Sequence, residues 1–310
     1  MKKIQEGIKE YISMRQALGF ELEHVERRLF DFFSFMQEEK VSYITKEIAV
    51  KWAKKPKNAR PSWWAKRLGL VRGFAKYWSA MDTRTEIIPV DLLPAKYERR
   101  IPYIYTKEEI DKLLGATKNL SSKLGLRPLT YYTLFGLISV TGLRISEAVS
   151  IKSENVNLRE CVLTICESKF KKSRIVPIHI STRNKLKKYA IKRDYLIKGF
   201  SAPSFFVSDI GSTLTVHTVR RTFKIISHQI GLRAPSESFG PCLHDMRHRF
   251  AVNTLINWYR SGVDVERNIS KLSTYLGHAH VEDTYWYLSA VPELLALAAN
   301  RLEKRWEAIS

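Results

Sequence analysis

Residues 81–105, MDTRTEIIPVDLLPAKYERRIPYIY, constrain this chain more than any other stretch. Three prolines fall among charged residues without helical periodicity. Each proline removes a backbone donor and biases the residue before it away from the helix. An extended interdomain linker is therefore expected over 85–100, with the boundary near Arg100, between a domain at 1–84 and another at 101–310.

The first domain reads as helical. Ile4, Ile8, Tyr11 and Ile12 recur at helical spacing, as do Val25, Leu29, Phe32 and Met36. Thr45 is placed to cap a third helix, KEIAVKWAKK. The fourth, WWAKRLGLVRGFAKYW, gathers Trp64, Leu68, Val71, Ala75 and Trp78 on one face. Lys66, Arg67, Arg72 and Lys76 are assigned to its flanks and opposite face, where they would meet a phosphate backbone; a solvated helix face has the same pattern.

The second domain opens with Thr106 and Glu109 at capping-box spacing. A helix through RPLTYYTLFGLISVTG should stop at Gly142. The period then changes: ECVLTICES and SRIVPIHI are β-branched and partly alternating around a basic KFKK, which predicts a hairpin. From STRNKLKKYAIKR onward the pattern returns to helices. The fold class expected is mainly α, with a small β-hairpin or sheet in the second domain.

Charge narrows the partner. The 52 Lys and Arg residues against 31 Asp and Glu leave a formal +21, which favours a polyanion because neutralised phosphates release counterions. A ribosome-like or membrane-surface basic protein would share that charge. Cys161, Cys166 and Cys242 form no CxxC pair, so neither a disulfide framework nor a zinc site is expected. The start mixes Glu, Lys and Gln into what would be the apolar core of a signal peptide. The longest apolar stretch falls short of the ~20 residues that span a bilayer. These features predict a cytoplasmic, reduced protein with no membrane partner.

Four motifs follow one another in the second domain. They are TGLRISE with Arg144 and Glu147, SKFKKSRIVPI with Lys169, LHDMRHRFA with His244 and Arg247, and YLGHAHVEDTYWYL with His278 and Tyr287. In this order, across Pro102 to Leu295, the chain resembles the tyrosine recombinases of the phage-integrase type. The resemblance implies a helical core-binding domain followed by a catalytic domain. It also implies specific recombination sites on double-stranded DNA, a tetramer on that DNA, a 3′-phosphotyrosyl intermediate and a Holliday junction. Integration or transposition would be the outcome, with accessory proteins unspecified and no cofactor or metal. A type IB topoisomerase, or a catalytically silent DNA-binding protein on this fold, are the alternatives.

The chemistry explains the residue types. Attack of a side-chain oxygen on phosphorus stores the bond as a phosphoester, so rejoining requires no nucleotide. Arg144 and Arg247 suit the charge that gathers on nonbridging oxygens, because a guanidinium grips two of them in a planar fork. A lysine near other cations can protonate the departing 5′ oxygen. The resemblance selects Lys169, eight residues before Pro177, with Lys171 and Lys172 as competitors. His244 and Arg247 share one helix face at HxxR spacing, whereas His248 and Arg249 are read as flanking residues. Glu147, one turn after Arg144, is read as orienting a cationic side chain.

Tyr285 and Tyr287 would diverge by about 200° on a helix, so only one can face a phosphate. Spacing alone does not choose between them. The family's offset of nine residues from the histidine of LGH selects Tyr287, leaving Tyr285 to packing and His280 to the surface. Arg220 and Arg221 are expected on a DNA-facing helix of the catalytic domain. A final apolar stripe through Leu294, Leu297, Ala298 and Leu302 predicts a helix that docks either in its own protomer or on a neighbour.

Overall fold

The computed structural model describes residues 2–20, 22–95, 101–168, 172–197, 203–234, 236 and 240–307. The chain divides into two compact units, Met1–Arg100 and Ile101–Ser310.

The first unit holds α1 (Lys2–Ala17), α2 (Glu23–Glu38), α3 (Lys46–Lys54) and α4 (Pro61–Trp78). Thr45 caps α3 by accepting from the Ile48 amide at 3.2 Å. Ile8, Leu29, Phe32, Trp52, Leu68, Val71 and Phe74 form the core. Residues 82–95 lack helix and strand, yet Ile88 and Leu93 pack into that same core. Gly7 is required where α1 crosses α4, since a Cβ there would lie 2.1 Å from the Trp78 ring.

One basic residue of α4 is not placed as expected. Arg67 is 4% exposed, stacks 3.8 Å over the Trp52 ring and donates to the Trp52 carbonyl at 3.1 Å. The reason is positional: Arg67 precedes Val71 by four residues and Phe74 by seven, so it rides the apolar stripe rather than its flank. It therefore has no surface to offer DNA. Lys66 and Lys76 are exposed, and Arg72 donates to the Pro89 and Val90 carbonyls at 3.1 and 2.7 Å.

The second unit begins at α5 (Lys107–Thr117), whose capping box joins Thr106 and Glu109 through bonds of 2.8 and 3.1 Å. Helix α6 (Leu126–Thr141) is apolar nearly all round and is buried against α5, α8 (Ile180–Leu196) and α10 (Leu243–Arg260). It stops at Gly142, as predicted, in a left-handed turn with φ +63°. After α7 (Ile145–Ser150) comes an antiparallel sheet of β1 (Val156–Asn157), β2 (Val162–Ser168) and β3 (Lys172–Pro177). Leu163 faces Val176 and Ile165 faces Arg174, so alternation buries Leu163, Ile165, Val176 and, beyond β3, Ile178.

The remaining helices are α9 (Val216–Gln229), α11 (Val265–Leu276), α12 (Glu282–Ala290) and α13 (Pro292–Glu307). Helix α13 docks on α10 and α12 of its own chain through buried Leu294 and half-buried Leu297. The stripe ends earlier than its spacing predicts, since Leu302 is 51% exposed. No described helix is long and apolar enough to cross a membrane.

Candidate active site

The site is assembled around two left-handed glycines. A Cβ on Gly142 would lie 2.7 Å from Phe250 and 3.0 Å from Leu276, and one on Gly277 would lie 2.6 Å from the Arg174 guanidinium. Both positions thus need glycine for conformation and for space. The sharp turns aim backbone carbonyls at the arginines. Arg247 donates to the carbonyls of Gly142 and Leu276 at 2.8 and 2.7 Å, and Arg144 donates to that of Gly277 at 2.6 Å. Arg247 thereby ties the end of α6 to the end of α11, and Arg144 adds a second bond to the latter.

Glu147 orders the pair from behind. It lies 4% exposed on α7 and accepts from Arg144 at both the backbone amide (2.9 Å) and Nη1 (2.7 Å). Arg174 grips the same carboxylate in a fork at 3.0 and 2.9 Å and reaches the Tyr275 carbonyl at 2.8 Å. Burial pushes the Glu147 carboxyl up, but the hydrogen bonds and charges of Arg174 and Arg144 outweigh it and hold the group below the usual carboxylate range. Arg247, 1% exposed, is brought down to about 10 by burial and by Arg144, which leaves it protonated at neutral pH.

Helix α10 supplies two further groups from one face, His244 and His248. His244 is exposed in its first turn, and partial desolvation together with Arg247, Arg144 and Arg220 lowers it to about 4, against the opposing pull of Asp245. It is therefore a neutral imidazole at neutral pH. The His248 ring packs edge-on against that of His244 with centroids 4.7 Å apart. Its Nδ1 lies 2.7 Å from the Tyr287 hydroxyl.

On α12 the inward positions are Thr284 and Tyr287, one turn apart. Thr284 bonds His278 Nδ1 at 2.7 Å, fixing the histidine that follows Gly277. Tyr287 is 2% exposed, whereas Tyr285 is 43% exposed and His280 is also at the surface. The structure thus gathers Arg144, Glu147, Arg247, His278 and Tyr287, with His244 at the margin. Arg220 and Arg221 are exposed on α9. Lys169 and its competitor Lys171 lie outside the described residues, and Lys172 begins β3.

Two neighbours were not singled out by the motif spacing. Arg174 shares its face of β3 with buried Val176, and a charge on a core-facing strand position demands a partner. His248 follows His244 by four residues, which places it on the same helix face and corrects its reading as a flanking residue. Arg249 does stand apart, donating to the Tyr105 carbonyl at 2.7 Å. Cys161, Cys166 and Cys242 are free thiols.

The sequence profile of the phage integrase family matches residues 104–293. A Sinorhizobium fredii protein named "Putative integrase/recombinase y4rB" is 48% identical over 311 residues, covering 99% of each chain. The tyrosine recombinase XerD of Oceanobacillus iheyensis is 28% identical over 225 residues, covering 72% of this chain and 69% of its own. Among solved structures, the XerH site-specific recombinase in a post-cleavage complex with its palindromic difH substrate superposes with a TM-score of 0.62 at 20% identity. That likeness covers 84% of this chain and 73% of XerH.

Proposed function

The chain belongs to the phage integrase family of tyrosine recombinases, and on that premise we propose that it is an active site-specific DNA recombinase of the integrase or transposase type. The observation that carries the reading is the meeting of Arg144, Arg247, His278 and Tyr287 around the clamped ends of α6 and α11. A silent DNA-binding protein would have no use for a buried phenol beside two ordered guanidinia, one of them kept cationic at some cost in desolvation.

In this mechanism Arg144 and Arg247 hold the nonbridging oxygens of the scissile phosphate. Tyr287 Oη attacks phosphorus, the bond to the 5′ oxygen breaks, and Lys169 protonates that oxygen as it leaves. His244 and His278 donate to the same phosphate. Because Arg247 and Tyr287 are 1% and 2% exposed, the phosphate reaches them after the site opens. Four protomers on two DNA sites cut one strand pair, exchange the ends through a Holliday junction and then cut the other. Lys66, Arg72, Lys76, Arg220 and Arg221 supply backbone contacts.

The test is to incubate the protein with DNA from its own genomic flanks and sequence the junctions. Reciprocal junctions at one fixed position are expected. Relaxation of supercoils without junctions would instead identify a strand swivelase, and binding without covalent chemistry a silent relative.

A further inference from the structure

We propose that His248 is the proton acceptor for the tyrosine nucleophile. The inference rests on the recombinase reading above and extends it to a residue of the LHDMRHRFA motif that was read only as flanking. His248 Nδ1 stands 2.7 Å from the Tyr287 hydroxyl, a short hydrogen bond between side chains brought together from α10 and α12. The ring is held in place by edge contacts, with centroids 4.7 Å from His244 and 5.8 Å from Trp286. The other two histidines of the site are disposed differently. The Nδ1 of His278 is bonded to Thr284, and His244 sits in the exposed first turn of α10.

A phenol is a poor nucleophile until its proton leaves, and a base already hydrogen-bonded to it can take that proton as the oxygen closes on phosphorus. With its own hydrogen on Nε2, His248 presents Nδ1 as the acceptor. His248 also adjoins Arg247 in the chain. One helix therefore fixes both the cation that holds the phosphate and the base that serves the attacking oxygen.

The step balances. The Tyr287 O–P bond forms as the P–O5′ bond breaks, the phenolic proton passes to His248 to give imidazolium, and the 5′ oxygen leaves with a proton from Lys169. In rejoining, the 5′ hydroxyl attacks phosphorus, its proton returns to the lysine, and imidazolium reprotonates the departing phenol.

The test uses the full chain on a nicked suicide substrate from its own recombination site, with the rate of covalent adduct formation as the readout. His248→Phe preserves a ring and removes the base, and it should slow the adduct by about 10²–10⁴ while DNA affinity is retained. His248→Asn keeps a hydrogen-bonding oxygen that does not take up the proton, and it should be slowed nearly as much. The decisive arm replaces Tyr287 with 3,5-difluorotyrosine, whose more acidic phenol ionises without help. In that background the penalty of His248→Phe should shrink to less than about tenfold. A penalty that persists undiminished, or an Asn variant as fast as the unaltered protein, would overturn the proton-accepting role. If the unaltered protein itself forms no adduct, the recombinase reading fails instead, so the two failures are distinguishable.

Discussion

Replacing Glu147 with Gln should unfasten the site from behind. The carboxylate accepts four hydrogen bonds from two guanidinia and one amide, at 2.7–3.0 Å, while 4% exposed. An amide of the same shape offers one oxygen where two were used, turns an NH2 toward a donor and leaves Arg144 and Arg174 facing each other without a counterion. Removing one partner of a buried ion pair costs about 3–5 kcal/mol. Each 1.36 kcal/mol is a factor of ten, so local protection should fall by roughly two to nearly four decades. Hydrogen exchange of the intact protein reads this at the Ala148 amide, bonded to the Arg144 carbonyl at 2.9 Å, and along β3. The loss should also depend on pH. Because the folded carboxyl titrates below its unfolded value, its contribution is fully present above the ordinary glutamate range, about 4.3. It disappears as pH falls through the lowered folded value. The unaltered protein should therefore approach the Gln variant in acid. A fall in protection of under about tenfold at neutral pH would refute the reasoning, since it would mean that the guanidinia do not depend on this carboxylate.

Gly277→Ala should destabilise the catalytic unit by about 1–3 kcal/mol in denaturant titration, through its positive φ and the displaced Arg174, whereas Gly115→Ala, in a helix with open space at its Cβ, should stabilise it by up to about 1 kcal/mol. Lys76→Ala should lower the slope of log affinity against log salt by about 0.9, and Arg67→Ala should leave that slope alone while lowering the melting temperature of the first unit. Lys169→Ala should cripple cleavage of ordinary DNA and recover on DNA carrying a bridging 5′ sulfur, because a thiolate leaves without a proton; Arg144→Ala should recover far less.

The parts of the chain that were legible in sequence are those governed by local rules. Thr45, Thr106 with Glu109, and Gly142 act on backbone groups a few residues away, and each forms the cap or stop that its spacing predicts. The four motifs likewise mark positions where chemistry restricts the residue type. What escaped depends on the third dimension. Arg67 carries a charge, and composition assigns charges to water, but Trp52 and Asp31 from two other helices make its burial tolerable. His248 shares the helix face of His244, yet its significance arises only when α12 delivers the Tyr287 hydroxyl. Arg174 looks like one more basic residue after KFKK until β3 turns it onto Glu147. Strand β1, two residues long, is too short to show a period at all.

The central claim, that this site makes a covalent bond to DNA through one particular phenol, is tested most directly by trapping the adduct on a nicked suicide substrate and locating the nucleotide by mass spectrometry of the proteolysed complex. A single phosphotyrosyl peptide modified at Tyr287 is expected, formed in the presence of a chelator and equally by Tyr285→Phe. Modification at Tyr285, or an adduct that persists in Tyr287→Phe, would contradict it.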